Sequence, residues 1–155
     1  MTEVALDRTD YKIIKALEHN GRASNALIAE QVNLSQSQCL RRIKRLEECG
    51  IIRGYRAQID YEKMGYTVVA WTLVTISKDV PEARDNVTRY LQEQEQAVSV
   101  FGVTGDVDLM VEIRAKDMAA FSDFVVKGIY AHEQVVSTKS YIRLDTAKLN
   151  GGIIT

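Results

Sequence analysis

Little in these 155 residues can carry covalent or metal chemistry. There are two cysteines, Cys39 and Cys49, and two histidines, His19 and His132. If both cysteines lie on one helix, about 15 Å of axial rise separates them. Neither a disulfide nor one zinc ion bridges that gap. The histidines form no ligand spacing with them, so no metal is expected and the cysteines read as packing residues. The chain also lacks a nucleophile–base spacing and a phosphate-cradling glycine loop, which argues against an enzyme and against a bound cofactor. No apolar run approaches the roughly 20 residues that span a bilayer. The N-terminal MTEVALDRTD is acidic and has no apolar h-region, so no secretory leader is expected. These absences leave a cytoplasmic protein without a membrane segment.

A net charge of −1 gives no global sign of a nucleic-acid partner, but the charge is unevenly placed. Residues 36–56 carry Arg41, Arg42, Lys44, Arg45, Arg53 and Arg56 against Glu47 and Glu48, while residues 61–155 lean acidic. Such asymmetry suggests a basic reading module joined to a module with another task.

The first module is expected over residues 1–60. Asp7 or Thr9 can cap a helix carrying Ile13, Ile14 and Leu17, ended by His19-Asn20-Gly21. Ser24 reads as the next N-cap, with Leu27, Ile28 and Val32 as its buried stripe. Ser35 then caps a third helix with apolar positions at Cys39, Leu40, Ile43 and Leu46, a 3.6-residue period. Asn33 falls in the tight turn between the two helices, where a positive φ is usually needed and Asn tolerates it. Ala29 lets the helices approach closely. Gly50 ends the third helix, and residues 51–56 read as a short strand or wing.

Residues 61–65 form a linker, and residues 66–155 a second module rich in β-branched residues. Strands are predicted at 66–77, 97–103, 106–114 and 134–144. One helix opens near Pro81 and carries Ala83, Val87, Tyr90 and Leu91. Another is capped by Asp117, with Met118, Phe121, Val125 and Ile129 on one face. The order β-α-β-β-α-β predicts a ferredoxin-like domain with both helices on one side of a four-stranded antiparallel sheet. The fold class is therefore α+β. In the first strand Val68, Ala70, Val74 and Ile76 face one way and Val69, Trp71 and Leu73 the other. The second apolar face needs a cover, for which a second copy is favoured over a folded-back tail or linker.

Two helices joined by a tight turn, the second basic on one side, is the geometry that enters a DNA major groove. On a wheel of residues 36–48, Ser37, Gln38, Arg41, Lys44, Arg45 and Glu48 lie opposite the core. Such helices insert N-terminal end first, so Ser37, Gln38 and Arg41 are placed for base edges, and Lys44 and Arg45 for phosphates. Ser35 stands at the same end. Arg42, on the flank, either holds a phosphate or pairs internally with a carboxylate. Double-stranded DNA is the expected partner.

The words LDRTDYKIIKALEHNGR, LSQSQCLRRIKRLEECGIIRGY, FGVTGDVDLMVEI and VVSTKSYI resemble the Lrp/AsnC (leucine-responsive, feast-famine) transcription regulators, over nearly the whole chain. The resemblance implies a winged helix-turn-helix joined to a ferredoxin-like effector domain. It also implies homo-dimers that assemble further, often to octamers, and a small effector, commonly an amino acid. By that resemblance the effector site centres on Thr104, Gly105, Asp106 and Asp108, with Thr138 and Ser140 from the last strand. Family members commonly have Gly where Asn33 stands, a Pro just after Ser35, and an aromatic where Leu109 stands, so operator preference and pocket shape are expected to differ. A competing reading is an amino-acid-binding regulatory subunit of a metabolic enzyme.

Overall fold

The structure, a computed structural model, describes residues 4–146. The expected second module runs on to residue 155, and its last nine residues lie outside the described range. The chain divides between Gln58 and Ile59 into two compact units.

The first unit holds three helices, α1 (Arg8–His19), α2 (Asn25–Gln31) and α3 (Gln36–Glu48). Each begins where a short polar side chain can accept the orphan N–H groups of a first turn. Asp7 accepts from the amides of Thr9 and Asp10 at 2.8 and 2.9 Å, and Asp10 returns the bond to the Asp7 amide at 3.1 Å. Ser24 accepts from the Leu27 amide, and Ser35 from that of Gln38. Asn33 has φ 57°, as the tight turn required. The chain leaves α3 through Gly50 at φ 75°. Ile13, Ile28, Ala29, Val32, Cys39, Ile43 and Leu46 form the core of the unit.

Two expected core residues are not in it. Leu27 is 41% and Leu40 39% exposed. Both lie at the edge of the apolar stripe, and a three-helix unit this small buries only its centre. Residues 53–60 are exposed and belong to no strand, so the wing carries no ladder.

The second unit contains β1 (Val68–Ile76), α4 (Ala83–Gln92), β2 (Ala97–Gly102), β3 (Leu109–Ala115), α5 (Met118–Asp123) and β4 (Val135–Ile142). The antiparallel sheet has the order β2-β3-β1-β4, so β1, the most apolar strand, is central. α5 passes directly into a π-helical segment, Phe124–Tyr130. There Gly128 lets the Phe124 ring and the Tyr90 hydroxyl approach the backbone. Alternation along the strands sends Val68, Ala70, Thr72, Val74 and Ile76 of β1, and Leu109, Val111, Ile113 and Ala115 of β3, toward the helices. They pack on Val87, Leu91, Phe121, Val125 and Ile129. Met118, expected on that face, is instead 51% exposed at the helix start.

The opposite face of the sheet carries Val69, Trp71 and Leu73 beside Met110, Phe101 and Tyr141. Phe101 and Tyr141 are exposed, and Trp71, Leu73 and Met110 are half-buried. The turn before β1 covers one corner of this face. Tyr61 stacks under the Arg114 guanidinium, 4.3 Å from cation to ring centre, and Glu62 pairs with Arg143.

Candidate DNA-reading face and effector hairpin

The polar side of α3 divides its cations by partner. Asp10 on α1 is a carboxylate only 1% exposed, and two arginines of α3 converge on it. Arg42 Nη1 donates to Asp10 Oδ1 and to Asp7 Oδ2, each at 2.8 Å. Arg45 Nη2 donates to the other Asp10 oxygen at 2.5 Å. A buried carboxylate left alone is expensive, and two guanidinium partners plus the Asp7 amide satisfy it. The arrangement ties the angle of α3 to α1. It also gives Arg42 its internal carboxylate, and turns Arg45 inward where a phosphate contact was expected of it.

Arg41 and Lys44 differ. Both are exposed and neither has an ion-pair partner among the described residues. Ser37 is exposed, its hydroxyl 3.2 Å from that of Ser35. Gln38 is exposed too, but its Oε1 accepts from the Ser35 amide at 3.3 Å, completing a capping box. A bidentate pair with adenine uses both the oxygen and the amide nitrogen of Gln38, so reading a base in that way competes with the cap for the same oxygen. Ser35 is committed to the same cap.

Asp10 was not among the residues singled out from the sequence. The signal was there: it falls three residues before Ile13 and seven before Leu17, on the buried stripe of α1. An acid on an apolar stripe demands cations from a neighbouring element.

The hydrogen bond from the Asp10 amide, followed by the Arg42 guanidinium, holds the Asp7 carboxyl below its ordinary 3.8. A depressed folded value means stability that is present above the unfolded value and lost as pH falls through the folded one. Unfolding of the first unit, followed by amide exchange, should therefore ease as pH drops below about 4, and Asp7→Asn should flatten that dependence.

In the second unit, the Val103 amide donates to the Asp108 carbonyl at 3.1 Å, closing a loop that holds Thr104, Gly105 and Asp106 at its exposed tip. Gly105 has φ 123°, a conformation that side chains rarely adopt. β3 starts only at Leu109, so Asp106 and Asp108 lie on the loop rather than along a strand. Asp108 is half-buried and its Oδ2 accepts from the Ile76 amide at 2.8 Å, fastening the loop to the end of β1.

Thr138 and Ser140 do not join this cluster. Strand register puts Gly102 opposite Leu109, Leu109 opposite Val74, and Val74 opposite Thr138. Three strand spacings separate the two edges, about 14 Å. The Ser140 hydroxyl is 2.9 Å from that of Thr72. Within one chain, the hairpin and β4 cannot grip the same small molecule.

No group of three or more His, Cys, Asp or Glu side chains that could hold a metal occurs among the described residues. Nor is any helix among them long and apolar enough to cross a membrane.

Comparison with known proteins gives this geometry its context. Residues 6–53 match the winged helix-turn-helix DNA-binding family, and residues 69–153 match the Lrp/AsnC ligand binding domain. The chain is 31% identical over 148 residues to the leucine-responsive regulatory protein of Rhizobium meliloti, covering 96% of this chain and 95% of that one. It is 33% identical over 144 residues to the Bkd operon transcriptional regulator of Pseudomonas aeruginosa, covering 93% and 94%. A solved transcriptional regulator of Neisseria meningitidis, in complex with L-Met, superposes with a TM-score of 0.90 at 36% identity over 94% of each chain. The similarity runs over nearly the full length of these proteins, two of which are named as transcriptional regulators, which sets aside the reading as an enzyme's regulatory subunit. With both units matched, the chain belongs to the Lrp/AsnC family, and is a transcriptional regulator that joins a DNA-binding helix-turn-helix to a ligand-binding domain.

Proposed function

We propose that the exposed side of α3 reads an operator with Arg41 as its principal base contact and Lys44 as its phosphate contact. The observation that carries this division is the split among the four central cations of α3. Asp10 and Asp7 hold Arg42 and Arg45, while Arg41 and Lys44 stay free of ion pairs among the described residues. Ser37 sits beside Arg41 toward the helix start and can add a base or sugar contact. Gln38 and Ser35 serve first as the cap that orients the helix.

Salt dependence separates these roles. Each phosphate neutralised by a cation adds about 0.9 to the slope of log affinity against log salt on duplex DNA. Lys44→Gln is expected to lower that slope by about 1 for each half-site, about 2 for a dimer on its operator, and Arg45→Gln to leave it unchanged. A slope that falls with Arg45→Gln but not with Lys44→Gln would reverse the assignment.

The protein works as a homo-dimer or a larger even assembly, joined through the sheet face that carries Trp71, Leu73, Met110 and Phe101. These apolar residues lie together on the face that the helices leave open. Two copies then present two α3 helices to the two half-sites of an operator. Trp71→Glu is expected to yield monomers in sedimentation equilibrium, and an unchanged mass would rule this face out.

The ligand-binding domain takes a small amino acid at the β2–β3 hairpin, with Asp106 accepting its ammonium group. The supporting facts are the exposed Asp106 at a glycine turn and the L-Met carried by the similar Neisseria meningitidis regulator. Thr138 belongs to this site only if it is supplied by a second copy. The protein is not an enzyme and acts where its DNA is, in the cytoplasm.

A further inference from the structure

The sheet edge formed by β2 contains a feature that no backbone requirement explains. Gly102 ends β2, and its φ does not fall in the positive range that would call for glycine. What a side chain would take there is space that is already filled. A Cβ at Gly102 would overlap Arg84 Nη2 and lie 3.3 Å from Cζ and 3.9 Å from Nε of the same guanidinium. Arg84, in the first turn of α4, thus lays its charged end across the bare backbone of β2, two residues before the exposed hairpin tip.

The guanidinium is exposed and makes no ion pair or side-chain hydrogen bond with any described residue, although Glu82 and Asp85 are close in sequence. An arginine carries five donors in a rigid fork suited to a carboxylate. Here the fork is parked by shape, with no anion of the protein's own in it. Four residues after Gly102, on the loop that leaves this edge, stands Asp106, an exposed carboxylate with no ion pair to any described residue. A cation and an anion at one edge match the two charged groups of an α-amino acid. Thr138, which the family resemblance places at the effector site, sits at the far edge of the sheet.

The geometry points to Arg84 as the residue that binds the carboxylate of the amino-acid effector, held in place by the missing side chain at Gly102. This assignment rests on the amino-acid reading of the hairpin given above. Arg84 is then a specificity residue: it selects ligands with a free carboxylate and rejects the corresponding amides and amines.

The test is calorimetric titration of the full chain with each of the twenty standard L-amino acids, repeated with the α-carboxamide of any that binds. A charge-assisted hydrogen-bond pair contributes about 1.5–3 kcal/mol, so Arg84→Ala is expected to weaken binding about 10- to 150-fold. Arg84→Lys should restore part of the loss. Gly102→Ala, which displaces the guanidinium without touching its charge, should weaken binding in the wild type but add nothing in the Arg84→Ala background. The preference for the free acid over its carboxamide should collapse in Arg84→Ala, an outcome that general loosening of the loop would not give. Binding unchanged by Arg84→Ala, or a preserved acid-over-amide preference, would overturn the assignment while leaving the amino-acid reading intact. If none of the twenty binds the unmodified protein, the amino-acid reading fails and this assignment fails with it.

Discussion

Replacing Arg42 and Arg45 together with alanine is expected to destabilise the first unit by about 3–5 kcal/mol, the cost of stranding a buried charge. The asymmetry of burial sets the direction. Asp10 is 1% exposed, whereas the side chains of Arg42 and Arg45 are 28% and 48% exposed. Removing the arginines leaves a carboxylate inside the unit with only the Asp7 amide to bond it. Removing the acid instead frees two side chains that can turn to water. Asp10→Asn keeps an acceptor for the Asp7 amide and should therefore cost less, about 1.5–3 kcal/mol for the weakened charge-assisted bonds. Amide exchange at Ile13 and Ile43 reports the first unit, and exchange at Val74 serves as a control in the second. If Asp10→Asn were the more damaging change, the buried carboxylate would not be the centre of this network.

Arg41→Ala is expected to remove about 1–3 kcal/mol of discrimination between operator and random duplex for each half-site, the value of one bidentate base contact. The loss should appear as relaxed preference at one base position in each half-site. Affinity for random DNA should change far less, because base contacts specify while phosphate contacts position. The contrast with Lys44→Gln is the informative part: that variant should weaken operator and random duplex together. Binding profiles of both variants against operators mutated one base pair at a time distinguish the two effects. Equal losses on operator and random DNA for Arg41→Ala would make it a phosphate contact instead.

The fold was legible wherever a local rule was strong. Asp7, Ser24, Ser35 and Asp117 accept from the first turns they precede, and Asn33 adopts the left-handed conformation its position demanded. The antiparallel four-stranded sheet with its helices on one side followed from alternation and from the β-α-β-β-α-β succession. Leu27 and Leu40 were misplaced because periodicity gives a direction on a helix but not the depth of the core beneath it. The π-helical continuation of α5 has no periodic signature that separates it from an α-helix over seven residues.

The candidate sites were less legible, since each turns on which charge meets which across distant elements. The Asp10 network joins residues more than 30 positions apart, and a helical wheel of α3 alone cannot see α1. The role of Gly102 was invisible for the same reason, because its explanation is a side chain from α4. For the residues proposed to bind an effector, the separation between the hairpin and β4 could not be read from the sequence, because it depends on the strand order.

The central claim is that α3 makes this chain a sequence-specific DNA-binding protein, and its most direct test is binding of the intact protein to duplex DNA across salt concentrations. Specific sites are first selected from a random pool, and their affinity is then compared with that for unselected duplex. The structure predicts that a selected site binds about 10³-fold or more tighter than random DNA at physiological salt, and that both affinities fall steeply as salt rises. Binding that selects no sequence, or that is indifferent to salt, would contradict it.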